Sequence, residues 1–244
     1  MQDTGRGLPR KPGGVSLVLA ACMGVALNTL YLYTLGVLIE PIENEFGWSR
    51  AAISLGLTII SVCTVIGSPF IGRLIDTAGA RRIALAGVAL YSTALMALPF
   101  SGPSVWTWWL GWLFVAVGSI LIKPTVWSAA IVSRFEKHRG IALALALCGS
   151  GLASLAGPPL VHGLTEAYGW RSAYWAIGGF GWLIVLPLIW FLFFDARDLG
   201  RSSQGKARDA ASPGLSAAAG FRSRSFIQLA LAGYLATAAG TAIL

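Results

Sequence analysis

Two places in this chain put charge where apolar sequence surrounds it. The first is an eleven-residue stretch, Gly72-Arg-Leu-Ile-Asp76-Thr-Ala-Gly79-Ala-Arg81-Arg82, set between two long apolar runs. Glycine at 72 and 79 permits close helix approach and a tight turn. Asp76 can accept from backbone donors at a helix N-terminus, where an anion is favoured by about 0.3–1 kcal/mol. The segment is expected to be a loop that turns at a membrane surface and sends the chain back across. A charged turn with no further role is the plainer reading of the same residues.

The second place is Lys123, eleven residues before Arg134. At 1.5 Å per residue that spacing sets it about 16 Å below the surface, near the middle of a bilayer. A lysine at that depth costs about 2.5 kcal/mol or more, so it should face a watery cavity or a partner. Ser119 and Trp127 lie four residues to either side, on one face of a continuous helix. A cation beside an indole wall and a hydroxyl suits a carboxylate ligand. A structural lysine held by backbone carbonyls or by Asn28 is the alternative. Pro124 next to it should loosen the helix and free a carbonyl.

Weaker polar signals surround these two. Asn28, Tyr31 and Thr34 follow a three-residue spacing and either line a cavity or face neighbouring helices. His162 reads as an interfacial residue rather than a proton relay. Gly149, Ala153 and Gly157 recur every four residues, a small-residue stripe that lets helices approach closely. Cys22, Cys63 and Cys148 have neither pairing nor metal spacing and read as packing residues. Leu19-Ala-Ala-Cys22 mimics a lipoprotein cleavage site, but apolar sequence continues past it, as in an uncleaved span.

The elements that must carry these residues are membrane helices. The chain is 56% hydrophobic and 11% charged, against about 25% charged in soluble domains. Apolar runs lie near 15–39, 51–71, 83–100, 105–132, 141–163, 173–194 and 226–244. Most reach the roughly 17–25 residues that a spanning helix needs. The fold class is therefore an all-α polytopic membrane protein. Residues 1–14 read as a polar tail, 15–194 as a six-span bundle, 195–225 as a linker rich in Gly, Ser, Ala and Arg, and 226–244 as a seventh span. Ser49 is placed to cap the second helix.

Charge orients the bundle. With the N-terminus inside, fifteen of the eighteen Lys and Arg fall on inner segments, only Arg50 and Arg171 fall outside, and Lys123 lies within a span. The positive-inside rule produces such a split, so the basic balance encodes topology and not a nucleic-acid partner. The expected location is the inner (plasma) membrane, with a cytoplasmic N-terminus. Phe46-Gly-Trp48-Ser-Arg50 and Tyr168-Gly-Trp170-Arg171 both fall on the outer side, where interfacial tryptophan and arginine belong.

The spacing of Gly72, Leu74, Asp76, Gly79 and Arg81 resembles the signature between the second and third spans of the major facilitator superfamily. Thr77 and Ala80 depart from it, since basic residues are commoner there. Phe46-Gly-Trp-Ser-Arg50, Ser133-Arg-Phe-Glu-Lys-His-Arg139-Gly140-Ile-Ala and Tyr168-Gly-Trp-Arg171 resemble the bacterial monocarboxylate and oxalate–formate antiporter branch. The resemblance covers nearly the whole chain but only about the first half of a typical member. It implies secondary transport of small organic anions by alternating access, with Gly72, Asp76, Gly79 and Arg81 at a cytoplasmic gate. Lys123, Trp127, Asn28 and Tyr31 are then expected to face the substrate. Leu160 and Val161, and Phe114 in place of an arginine, argue against the drug-antiporter branch.

No phosphate-binding glycine loop, metal-ligand spacing or nucleophile–base pair is legible, so an enzyme is not expected and no cofactor is assigned. No carboxylate stands mid-span to relay protons. The last apolar run reaches Leu244 without a polar exit. The partners expected are therefore an organic anion, the bilayer, and either a missing C-terminal half or a second copy. A truncated, non-transporting membrane fragment, or a half that only binds or assembles, is the rival expectation.

Overall fold

The computed structural model describes residues 14–135 and 137–194 together with Gln228. Apart from Gly14 and Gln228, the expected tail, linker and seventh span lie outside the described residues. The chain divides into two units, Met1–Arg201 and Ser202–Leu244, and the six helical spans belong to the first.

Six helices are long and apolar enough to cross a membrane: Gly14–Phe46, Arg50–Ala78, Ala80–Phe100, Val105–Arg134, Arg139–Tyr168 and Trp170–Leu192. They contain α1 (Gly14–Phe46), α2 (Arg50–Ala78) and α3 (Ala80–Ala97). The fourth span is two helices, α4 (Val105–Leu121) and α5 (Pro124–Arg134), and α6 (Arg139–Tyr168) is the fifth. The sixth joins α7 (Trp170–Phe180) to α8 (Leu186–Leu192) through a π-helical turn at Gly181–Val185. Ser49 caps α2 as expected, its Oγ accepting from the Ala52 N–H at 3.2 Å.

Three of the connections turn on glycines with positive φ: Gly47 (67°), Gly79 (84°) and Gly169 (80°). Such angles cost a residue with a Cβ about 1–2 kcal/mol. The expected eleven-residue loop at 72–82 is not a loop. Residues 72–78 continue α2 and Ala80 opens α3, so Gly79 alone makes the turn. The Gly79 N–H closes on the Ile75 carbonyl at 3.0 Å. Charged residues keep the helix going because, beyond the hydrocarbon, water satisfies their side chains while the backbone ladder persists.

Helices cannot be driven together by the hydrophobic effect in lipid, so close packing and hydrogen bonds must hold them. The stripe on α6 supplies the packing. Ala142, Ala146, Gly149, Ala153 and Gly157 are its buried face. A Cβ on Gly149 would overlap the Cys22 carbonyl of α1. Spans 1 and 3 are the centre of the bundle, each with 56% of its most apolar window buried, whereas the second span has 17%. Trp108, Trp112, Tyr91 and Tyr174 fill the space between spans. Trp108 and Trp109 of α4 also donate to the Ile53 and Ala52 carbonyls at the start of α2, at 3.2 and 2.9 Å.

Candidate functional site

Pro124 has no N–H, and its ring disfavours helical geometry for the residue before it. Lys123 accordingly adopts φ −61°, ψ 155° and the fourth span breaks there. The break exposes carbonyls that a continuous helix would have used, and inside a membrane each needs a donor. Ile122 N–H returns to the Ser119 carbonyl at 3.2 Å, and Val126 N–H to the Lys123 carbonyl at 2.9 Å. Asn28 of the first span donates its Nδ2 to the Ser119 carbonyl at 3.4 Å. Trp127 donates its Nε1 to the Ile122 carbonyl at 2.8 Å.

This arrangement corrects the expectation of one continuous face carrying Ser119, Lys123 and Trp127. Ser119 and Trp127 are buried, and Lys123 is half-buried at the break between them. The Trp127 indole lies over Gly24 of α1, where any Cβ would overlap the ring, and meets Phe193 edge-on at 5.2 Å. Asn28, too, is buried with its amide committed to the break. Tyr31 is half-buried with its ring edge against Trp112 at 6.3 Å, and Thr34 is buried, donating to Leu30 at 2.6 Å. Three of the four residues expected at the substrate site therefore gather around one feature, the break, while Tyr31 stands apart.

Lys123 itself turns to a cavity of about 440 Å³ between the second and fourth spans. Ser68, Gly72 and Ile75 of α2 form one wall, and Ile120, Pro124 and Thr125 the other. Among the described residues, the Lys123 ammonium has neither a hydrogen-bond acceptor nor an ion-pair partner. Ser68 donates its hydroxyl to the Thr64 carbonyl at 2.6 Å, leaving its oxygen lone pairs available. Ser68 and Thr125 were invisible as site residues in the sequence, because a serine and a threonine on apolar helices carry no motif. Their only signal is a position one helical turn from Gly72 and two residues from Lys123.

The Gly72–Arg82 segment leads away from that cavity. Gly72 lines it, and Asp76, one turn further on, is exposed. Arg81 reaches across to the sixth span. Its Nη2 donates to the Trp190 carbonyl at 2.6 Å, and its guanidinium sits 4.0 Å from the Phe194 ring centroid. Trp190 lies in the last turn of α8, whose carbonyls lack intrahelical donors, so a cation there satisfies one of them and complements the helix dipole.

A profile of the Major Facilitator Superfamily matches residues 21–244. The chain belongs to the major facilitator superfamily. Its curated relatives include an uncharacterized MFS-type transporter, YcxA, of Bacillus subtilis (strain 168), 27% identical over 62% of this chain and 37% of the relative. Monocarboxylate transporter 13 of Rattus norvegicus is 27% identical over 66% of this chain and 37% of its own length. Monocarboxylate transporter 7 of Homo sapiens is 30% identical over 59% and 28%. The chain thus spans well under half the length of the relatives it matches.

In this superfamily chain the two tryptophan-bearing turns, read separately in the sequence, meet in space. Arg171 forms a two-pronged ion pair with Glu45, Nη1 to Oε2 at 2.7 Å and Nη2 to Oε1 at 2.6 Å. Trp170 Nε1 donates to the same Oε2 at 2.6 Å, and Arg171 Nε donates to the Pro99 carbonyl at 3.2 Å. Phe46 stacks on Trp48 at 4.4 Å, and Trp48 donates to the Pro103 carbonyl at 3.2 Å. One arginine therefore ties the ends of spans 1, 3 and 6. With Arg81 at the opposite end, the six-span unit is pinned at both membrane faces.

Proposed function

We propose that this chain is part of a secondary transporter that moves small organic anions, of monocarboxylate type, by alternating access. The observation that carries this reading is Lys123, a cation with no partner among the described residues, beside a helix break in the fourth span. In a low-dielectric setting such a group recruits an anion far more strongly than it would in water. Carboxylate specificity accords with the names of the monocarboxylate transporters among its relatives. Broken helices near the midplane are where transporters place ligand sites.

The split of basic residues supports a cytoplasmic N-terminus in an inner or plasma membrane, with Arg81 at the cytoplasmic face and Trp48 outside. Gly72, Asp76, Gly79 and Arg81 then lie at the cytoplasmic gate. Of the four residues expected to face substrate, we assign contact to Lys123. Asn28 and Trp127 hold the break that aims it, and Tyr31 borders the neighbouring aromatic wall. The second span exposes Val62, Val65, Ile66 and Phe70, a face suited to a second six-span half or a second copy, which would complete the pathway.

Counterflow of labelled lactate in proteoliposomes tests the reading. Saturable exchange that disappears in Lys123→Ala supports it. Exchange unchanged by Lys123→Ala overturns it.

A further inference from the structure

The geometry points to an anion site lying between the second and fourth spans, in the cavity that Lys123 shares with Ser68, Gly72 and Thr125, rather than against Asn28, Trp127 and Tyr31. This deepens the transport reading and rests on it for the identity of the anion, though not for the site itself.

Each wall contributes differently. Lys123 is held at the mouth of the break with extended backbone, and the ammonium is the cavity's cation. Thr125, two residues on and exposed, adds a hydroxyl that can donate. Ser68 faces them from α2 with its proton committed to the Thr64 carbonyl, so it offers lone pairs. Ile75 and Ile120 supply an apolar lining. A carboxylate therefore finds its charge and donors on the fourth span, while the rest of a small ligand rests on the second.

The opposite side of the break offers no such place. One Asn28 Nδ2 N–H and the Trp127 N–H are used on backbone carbonyls, and both side chains are at most 5% exposed. They act as positioning residues, through the break and not through the ligand. The site also lies directly on the gate segment. Gly72 forms part of its wall, and a Cβ there would meet nothing within 4 Å. An occupant thus sits one helical turn from Asp76, on the arm that ends at Gly79.

Charge-selective labelling of the full 244-residue chain in nanodiscs tests the site. Thr125→Cys is placed in a background carrying Cys22→Ala, Cys63→Ala and Cys148→Ser. It is then labelled with an anionic (sulfonatoethyl) or a cationic (trimethylammonioethyl) methanethiosulfonate of similar size. The expected result is a preference for the anionic reagent that falls about tenfold in Lys123→Gln and persists in Lys123→Arg. Lactate is expected to slow the anionic reaction.

A preference indifferent to Lys123→Gln overturns the site. So does lactate that binds the chain in calorimetry without protecting the thiol introduced by Thr125→Cys, a result that leaves the transport reading standing. Lys123-dependent selectivity without any lactate binding upholds the site and overturns the organic-anion reading. If Lys123→Gln does not fold, as judged by gel filtration, Lys123→Met is substituted and the same three outcomes apply.

Discussion

Asn28 and Trp127, far apart in the chain, donate to two carbonyls of the same broken helix: Asn28 to Ser119 at 3.4 Å and Trp127 to Ile122 at 2.8 Å. Pro124 forces Lys123 out of the helix, which leaves the Ile122 carbonyl to Trp127 and the Ser119 carbonyl shared between the Ile122 N–H and Asn28, and an unpaired carbonyl in hydrocarbon costs several kcal/mol. The two side chains make the break tolerable, and the break places Lys123.

Trp127 contributes a ring and a donor, and these separate. Trp127→Phe keeps most of the packing against Gly24 but leaves the Ile122 carbonyl without that donor, so stability should fall by about 1–3 kcal/mol. Trp127→Ala should cost about 3–5 kcal/mol, because a large buried ring leaves a cavity. No loss for Trp127→Phe in reversible denaturation would show that the bond to Ile122 contributes nothing, and equal losses for the two variants would show that the ring's packing adds nothing to it.

Pro124→Ala restores an N–H and removes the constraint on Lys123. The fourth span should then close toward a continuous helix. Hydrogen exchange should slow at residues 123–126, and the anionic labelling preference at position 125 should shrink as the ammonium swings onto the helix face. Unchanged exchange would mean that the bundle, and not the proline, dictates the break.

Gly79→Ala and Gly72→Ala should have opposite signs. Gly79 holds φ 84°, so alanine there should destabilise by about 1–2 kcal/mol. Gly72 is helical and unobstructed, so alanine should stabilise the chain by roughly 0.5–1 kcal/mol. A thermal shift of the same sign for both would contradict the single-residue turn.

Glu45 and Arg171 are each a little over a third exposed, so their pair should be worth on the order of 1 kcal/mol, as for other exposed but well-aligned pairs. A double-mutant cycle of Glu45→Gln and Arg171→Gln measures that coupling. Arg171→Lys should behave almost like Arg171→Gln, since lysine cannot make the two-pronged contact and also reach the Pro99 carbonyl. Full retention of stability by lysine would show that only charge matters at this end.

The six described spans, the Ser49 cap, the glycine turns and the stripe on α6 were legible because each depends on local chemistry: run length, a cap residue, a missing Cβ. The limits of the 72–82 segment were not, because charge marks where lipid ends and not where a helix does. Lys123 was conspicuous from its spacing to Arg134, yet the face it would share with Ser119 and Trp127 does not form. A four-residue spacing presupposes an unbroken helix, and the proline beside Lys123 cancels that premise. Ser68 belongs to the cavity only through the packing of α2 on α4, and Glu45 meets Arg171 only through the packing of the first span on the sixth. No spacing within either element announces such contacts.

The central claim is that Lys123 recognises an anionic substrate, and calorimetric titration of lactate into the chain in nanodiscs tests it most directly. The account predicts saturable binding that survives Lys123→Arg and weakens at least about tenfold in Lys123→Gln, the loss of one close charge interaction at intermediate dielectric. Equal affinity in the wild type and in folded Lys123→Gln would contradict it.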